Sequence, residues 1–279
     1  MRTKIIAELA SCHNGNPDMA KALVRAASEA GVDIVKFQSW KASDVKDTDP
    51  DKKRYEQLEF RDEWHRDMIS YCRQCGIEFL TTVFDIKRIP FLRSLGQDSI
   101  KVASYDMKNY RLLSELKKNF KKIYVSTGGS YPEEIQKAAE ILKGHDYTLL
   151  HCVLSYPTPF DQANLAKIDW LRQFAPSVGF SDHTGGTEAA KVAIAMGIDV
   201  LEKHFTLSRF LPQPLHTTST EPDKKPTTTH EIAIEFNELK EICDHAKLVE
   251  KIKGDGSTQP KSFELPVREK YTGRLCRDD

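Results

Sequence analysis

The feature that most constrains this chain is a regular alternation of short β-rich runs with amphipathic helical stretches. Eight runs qualify as strands: residues 4–8, 33–38, 78–82, 99–103, 123–126, 147–152, 178–181 and 200–205. Helical periodicity fills the gaps at 17–30, 61–75, 87–95, 110–118, 132–142, 164–174 and 187–196, and a last helix covers about 230–247. The strands are short apolar runs rather than long apolar–polar alternations, as expected of parallel strands covered on both faces. Pro17 and Pro132 suit a first helical turn, where a missing N–H costs little. Gly31, Gly76 and Gly197 stand just past helices, where a left-handed residue closes the last turn. Eight βα units predict a closed (β/α)₈ TIM barrel of the α/β class, which takes about 250 residues. An open doubly wound sheet is the competing fold, but no G-x-G-x-x-G follows the first strand. Residues 1–250 read as the barrel and 251–279 as an extension without clear periodicity, not a separate domain.

Composition excludes some partners. The 41 basic and 41 acidic residues balance, which gives no support to nucleic-acid or membrane-surface binding. No apolar run is long enough to span a bilayer. The opening MRTKIIAELAS enters a strand directly, without the apolar core and cleavage site of a secretory signal. The six cysteines are scattered and suggest no disulfide framework, so a reducing cytoplasm is the expected compartment. Cys72 and Cys75 form a C-x-x-C late in a helical stretch. They read as ordinary thiols, because a redox pair belongs at a helix start after a strand.

Function is written in what ends each strand. Glu8, with His13-Asn14-Gly15 after it, ends the first. Lys36-Phe37-Gln38 ends the second, Thr81-Thr82 the third, and Lys101 lies on the fourth with Ser104 and Asp106 beyond it. Ser126-Thr127-Gly128-Gly129 ends the fifth and His151 the sixth, followed by Tyr156-Pro157-Thr158-Pro159. Ser181-Asp182-His183-Thr184 ends the seventh and Glu202-Lys203-His204 the eighth. In a barrel this is the end where active sites lie. Two long loops, residues 43–60 and 207–229, project there as well. Charges at such half-buried positions are costly unless paired or bound to something. Lys36 and Lys101 can grip an anion, with Ser104, Ser126, Thr127 and the Gly128-Gly129 amides completing a phosphate cradle. The competing reading is an internal ion pair of either lysine with Glu8 or Glu202. His183 and His204 end adjacent strands and can form an open metal site, or be hydrogen-bonded core histidines.

These segments, taken in order from about Lys4 to Thr206, resemble the N-acetylneuraminate (sialic acid) synthase family. Ser181-Asp182-His183-Thr184 and Glu202-Lys203-His204-Phe205-Thr206 are the most specific signatures. The resemblance implies a metal-dependent TIM barrel that condenses phosphoenolpyruvate with N-acetylmannosamine or a related N-acyl sugar. The products are phosphate and a nine-carbon 2-keto acid. It implies His183 and His204 as ligands of a divalent metal, Mn²⁺ first and Mg²⁺, Fe²⁺ or Zn²⁺ as alternatives. It implies that Lys36, Thr82, Lys101, Ser104 and Ser181 hold phosphoenolpyruvate, with Gln38 and Ser126 beside them, and that Tyr156 stands near the sugar. Glu8 is the candidate to position or deprotonate water, and Asp106 the candidate for sugar contact or proton transfer.

Three departures from the family pattern sharpen the expectation. Many members carry a C-terminal antifreeze-like domain that lends an Arg to a partner subunit's site. Its absence here makes Arg209 a candidate substitute and leaves a homo-oligomer as an open expectation. Asp106 stands where the family usually has Glu. Leu154 and Leu215 replace an Asn and an Asp that contact the sugar, so a deoxy or otherwise modified sugar is as well supported as N-acetylmannosamine. The rival readings are another metal-dependent barrel aldolase or hydrolase, and a non-catalytic sugar-binding relative.

Overall fold

The computed structural model describes residues 2–214 and 228–275. Eight parallel strands close into one barrel in chain order. They are β1 (Lys4–Glu8), β2 (Ile34–Ser39), β3 (Glu78–Val83), β4 (Ser99–Val102), β5 (Lys122–Ser126), β6 (Asp146–Cys152), β7 (Ser177–Asp182) and β8 (Val200–His204). β1 completes the ring against β8, with Lys4 beside Val200 and Glu8 beside His204. The helices are α1 (Pro17–Ala30), α2 (Lys52–Leu58), α3 (Asp62–Gln74), α4 (Ile89–Ser94), α5 (Tyr110–Asn119), α6 (Pro132–Leu142), α7 (Lys167–Leu171), α8 (Glu188–Ala195), α9 (Thr229–Ile232), α10 (Phe236–Lys253) and α11 (Leu265–Tyr271). Among the described residues no helix is long and apolar enough to cross a membrane.

Strand alternation splits the core in two, because successive side chains point to opposite faces. Ile5, Ala7, Val35, Phe37, Ile100, Val102, Ile123 and Leu201 face outward and pack under the helices. Ile6, Ile34, Leu80, Tyr124, Leu150 and Val200 face inward and fill the barrel floor. Gly179 of β7 completes that floor. A Cβ there would lie 2.2 Å from the Val200 carbonyl oxygen and 2.5 Å from Leu150, so only glycine lets these strands close. The same period carries the inward face to the rim. Two residues beyond the floor come Glu8, Lys36, Thr82, Ser126, Cys152 and Glu202, and beyond Gly179 comes Ser181. The apolar floor and the polar rim are thus one face of the same strands.

Four boundaries differ from the sequence expectation. The charged loop 43–60 contains α2, whose only strongly apolar positions are Tyr55 and Leu58. Two such residues in seven give little periodic signal. The helix expected over 164–174 is helical only at α7. Gln173 and Phe174 bond three residues back, so its end tightens into turns. The helix expected over 87–95 starts as a 3₁₀ turn, Ile86–Arg88, before α4. The last helix is divided. Ile234 pairs with Phe205 in an isolated parallel bridge, which holds the chain extended between α9 and α10. The Glu238 carboxylate then accepts from Glu235 N and restarts the helix. α10 runs past the expected 247 to Lys253. Every described residue from 251 to 275 is exposed, and these include α11.

Candidate active site

The C-terminal ends of the strands open into a cavity of about 1090 Å³. Its centre is a four-charge cluster. Lys36 Nζ is ion-paired with Glu8 and donates to Thr82 Oγ1 at 2.8 Å. Glu202 stands 3.9 Å from Lys36 and 3.8 Å from Lys101. Lys101 donates to Ser126 Oγ at 2.6 Å, and Ser181 Oγ donates to Glu202 Oε1 at 2.8 Å. The backbone N–H of Ala10 donates to Glu8 Oε1 at 2.7 Å. All four charged side chains are buried. Two buried positive and two buried negative groups neutralise one another, which is the condition for keeping them all charged. Of the two sequence readings of the lysines, the internal ion pairs are present, and both lysines also line the cavity.

The environments of the two carboxylates push them apart. Burial raises the Glu8 carboxyl above its usual range against the pull of Lys36, and the charge of Glu202 pushes the same way as burial. Glu202 is also opposed by burial, but Lys101 and Lys36 win and hold it at about 2. Glu202 is thus the fixed anion and Glu8 the carboxylate that can exchange a proton. Burial lowers the Lys101 ammonium, while the two carboxylates keep Lys36 charged against the same burial.

His183 and His204 enter the cavity from β7 and β8, with ring centroids 5.6 Å apart. His183 Nδ1 lies 2.8 Å from the Val153 carbonyl oxygen, to which it donates, so Nε2 is its lone-pair nitrogen. Burial, His183 and Lys36 hold His204 well below the usual imidazole range, so it is neutral. Its Nδ1 is buried without a hydrogen-bond partner among the described residues. His183 differs: burial opposes its charge, but Cys152 and the Val153 carbonyl raise it above the usual imidazole range, so a metal held there would have to displace its proton. Among the described residues no group of three or more His, Cys, Asp or Glu could hold a metal ion. His183 and His204 are thus a pair and not a complete ligand set, and any metal they held would need further donors. The Tyr156 ring lies on His183 at 4.0 Å between centroids.

The remaining expected residues divide. Gln38 and Ser104 line the cavity. Gln38 Oε1 accepts from Trp40 Nε1 at 3.4 Å, and Ser104 Oγ accepts from the Gly128 amide at 3.0 Å. The Gly128 amide is therefore already taken, and neither Gly128 nor Gly129 belongs to the cavity lining. Asp106 is absent from the lining, although Ser104 and Tyr105 of the same 3₁₀ turn belong to it. Side chains of a 3₁₀ turn spread about 120° apart, so three in a row cannot share one wall. Burial raises the Asp106 carboxyl to about 6 where it stands. His151 is committed to the Ala163 carbonyl at 2.7 Å. Arg209 is ion-paired with Glu238 and donates to the Ala233 carbonyl, outside the lining, so it does not serve as the substitute cation. Leu215 lies outside the described residues.

Sequence reasoning missed part of the lining. Cys152, two residues beyond Leu150, lies on the inward face and could have been found by counting in twos. Trp40, Arg54, Tyr55, Phe84 and Tyr105 come from connections rather than strands, where no period exists to reveal them.

Comparison with known proteins gives a consistent picture. A sequence profile described as the NeuB family matches residues 23–258. An N,N'-diacetyllegionaminic acid synthase of Campylobacter jejuni is 35% identical over 276 residues, 91% of this chain and 78% of that protein. The N-acetylneuraminate-9-phosphate synthase of Mus musculus is 29% identical over 95% of this chain and 75% of its own length. The crystal structure of an N-acetylneuraminic acid (sialic acid) synthetase from Leptospira borgpetersenii, solved with citrate, superposes with a TM-score of 0.87 at 27% identity. It covers 100% of this chain and 94% of that one.

Proposed function

Because the chain belongs to the NeuB family, we propose that it condenses phosphoenolpyruvate with an N-acyl mannosamine-type sugar, N-acetylmannosamine or a deoxy or otherwise modified analogue. The products are a nine-carbon 2-keto sugar acid and inorganic phosphate. The observation that carries this reading is the four-charge cluster of Glu8, Lys36, Lys101 and Glu202 beside two imidazoles in one cavity. The relatives named above are synthases of N,N'-diacetyllegionaminic acid and N-acetylneuraminate 9-phosphate, which supports a product of that kind.

Lys36 and Lys101 meet the negative charges of phosphoenolpyruvate, and the Thr82, Ser104, Ser126 and Ser181 hydroxyls orient it. C3 of phosphoenolpyruvate attacks the aldehyde carbon of the sugar. Water adds at C2 and Glu8 takes its proton, the former aldehyde oxygen picks up a proton to become the new hydroxyl, and the C2 hydroxyl gives its proton to the departing phosphate as the C–O bond breaks and the 2-keto group forms. Glu202 stays ionised throughout and keeps the lysines charged. Tyr156 and the exposed side chain of Leu154 give the sugar a mixed aromatic and apolar wall. His183 and His204 would hold a divalent metal, Mn²⁺ first, whose chemistry there is Lewis acidity toward the aldehyde oxygen. Asp106, next to Tyr105 but outside the lining, keeps sugar contact or proton transfer as its candidate role.

The test is phosphate release over a panel of N-acyl hexosamines. Release that requires both phosphoenolpyruvate and an aldose, and stops on chelation, is the expected result. Release from either compound alone, or none with any acceptor, overturns the reading.

A further inference from the structure

Asp182 and Lys203 stand opposite one another on β7 and β8, each one residue before an imidazole of the cavity. Neither lines the cavity. Alternation turns them to the other face, where Phe180, Leu201 and Phe205 belong to the apolar layer beneath the helices. Lys203 Nζ donates to Asp182 Oδ2 at 2.8 Å, and the two side chains are 1% and 0% exposed. An ion pair is a costly way to fill such a place, since an apolar pair of similar volume packs as well or better. What the charges add is a set of directed bonds. Lys203 Nζ also donates to the Thr184 carbonyl at 2.6 Å, and Asp182 Oδ1 accepts from the Thr184 amide at 2.8 Å. Both backbone groups of Thr184 are thereby held, one residue beyond His183. Thr158 N donates to the His183 carbonyl at 2.8 Å, so the turn that carries this ring is fixed from two sides. On β8 the same lysine directly precedes His204, whose carbonyl accepts from Ile234 N at 2.9 Å. One buried pair thus spans the two strand ends whose imidazoles lie 5.6 Å apart.

We propose that Asp182 and Lys203 are positioning residues. As a charged clamp behind the cavity wall, they set the separation and ring orientation of His183 and His204. Their task is geometry at the imidazoles, not stability of the barrel. This rests on the proposal above that the two histidines are metal ligands.

The double variant D182N/K203M tests this. It removes both charges, keeps both volumes, and takes the donor away from the Thr184 carbonyl. Its urea midpoint should match or exceed that of the wild type, because no buried charge is left unpaired. Its Mn²⁺ affinity, measured by calorimetric titration of the full chain, should fall roughly 10- to 100-fold. In the metal-free chain, the His183 Nδ1 proton, which wild type holds against the Val153 carbonyl, is identified by its absence from H183Q. In the double variant it should exchange with solvent at least about 10-fold faster. Either quantity unchanged in the folded double variant overturns the proposal. So does a urea midpoint that falls in step with Mn²⁺ affinity, which makes the pair a strut of the fold. One arm needs no variant: in wild type the Thr184 amide should be protected from exchange at least about 100-fold relative to an exposed loop amide. Free exchange there overturns the clamp, whether or not the double variant folds. A wild-type chain that binds no Mn²⁺ refutes the histidines as ligands, and the exchange measurements on the metal-free chain then decide on Asp182 and Lys203 alone.

Discussion

Glu8 concentrates what a single residue can do here. It has the backbone amide of Ala10 on one oxygen and Lys36 as its ion-pair partner, inside the barrel rim. To take a proton from water it must be ionised, so activity falls as pH drops through its pKa. Burial raises that pKa above the ordinary 4.5. The acidic limb of the kcat/KM profile is therefore expected above pH 4.5. Glu8→Gln should lower kcat by roughly 10²- to 10⁴-fold, the usual worth of a positioned base. Steady-state kinetics across pH check both. Full turnover by Glu8→Gln with its metal content intact would remove Glu8 from the chemistry.

At the scale of elements, the strands place the chemistry and the helices hold the strands. α5 buries Leu112, Leu113 and Leu116, and Asn109 caps its start by accepting from the Leu112 amide at 3.1 Å. α5 lies between β4, which carries Lys101, and β5, which carries Ser126. Leu116→Ala should cost roughly 2–5 kcal/mol, because the cavity it leaves is only partly refilled. Asn109→Ala should cost about 1 kcal/mol through the lost cap. Urea unfolding measures both. Equal losses would mean that α5 is held by its ends rather than by its packed face. α2 is the opposite kind of element, short and sparsely apolar, and it contributes wall rather than frame.

For the whole molecule, burial sets an acid limit on stability. His13 lies among Phe37, Phe60 and Trp64, and burial, followed by the nearby His230, lowers it to about 4. His65 packs against Phe60 and Phe91, and burial lowers it to about 4 as well. Both are neutral in the fold, and both take up a proton on unfolding below pH 6.5. Their contribution to stability is complete above pH 6.5 and is lost as pH falls toward 4, on the order of 3 kcal/mol for each. Glu202, held at about 2, adds a loss that begins below its ordinary 4.5. Thermal midpoints should therefore decline from pH 6.5 downward, and His65→Gln should flatten the upper part of that decline. A midpoint constant between pH 7 and pH 4.5 would show that these histidines titrate alike in both states.

The sequence by itself determined the barrel, because eight apolar runs at regular spacing leave few other ways to bury both faces of each strand. It also determined most of the rim: Glu8, Lys36, Thr82, Lys101, Ser126, Ser181, His183 and His204 sit at strand ends, and strand order alone brings strand ends together. Tertiary structure decided the rest. Ser104 bonds to Gly128 instead of leaving the amide free, Asp106 falls off the wall that Tyr105 joins, and Arg209 spends its charge on Glu238. Arg54 entered the cavity from a helix that the sequence did not announce. The physical reason is the same throughout. A strand fixes its side chains by a period of two, whereas a connection takes its course from contacts with residues far away in the chain.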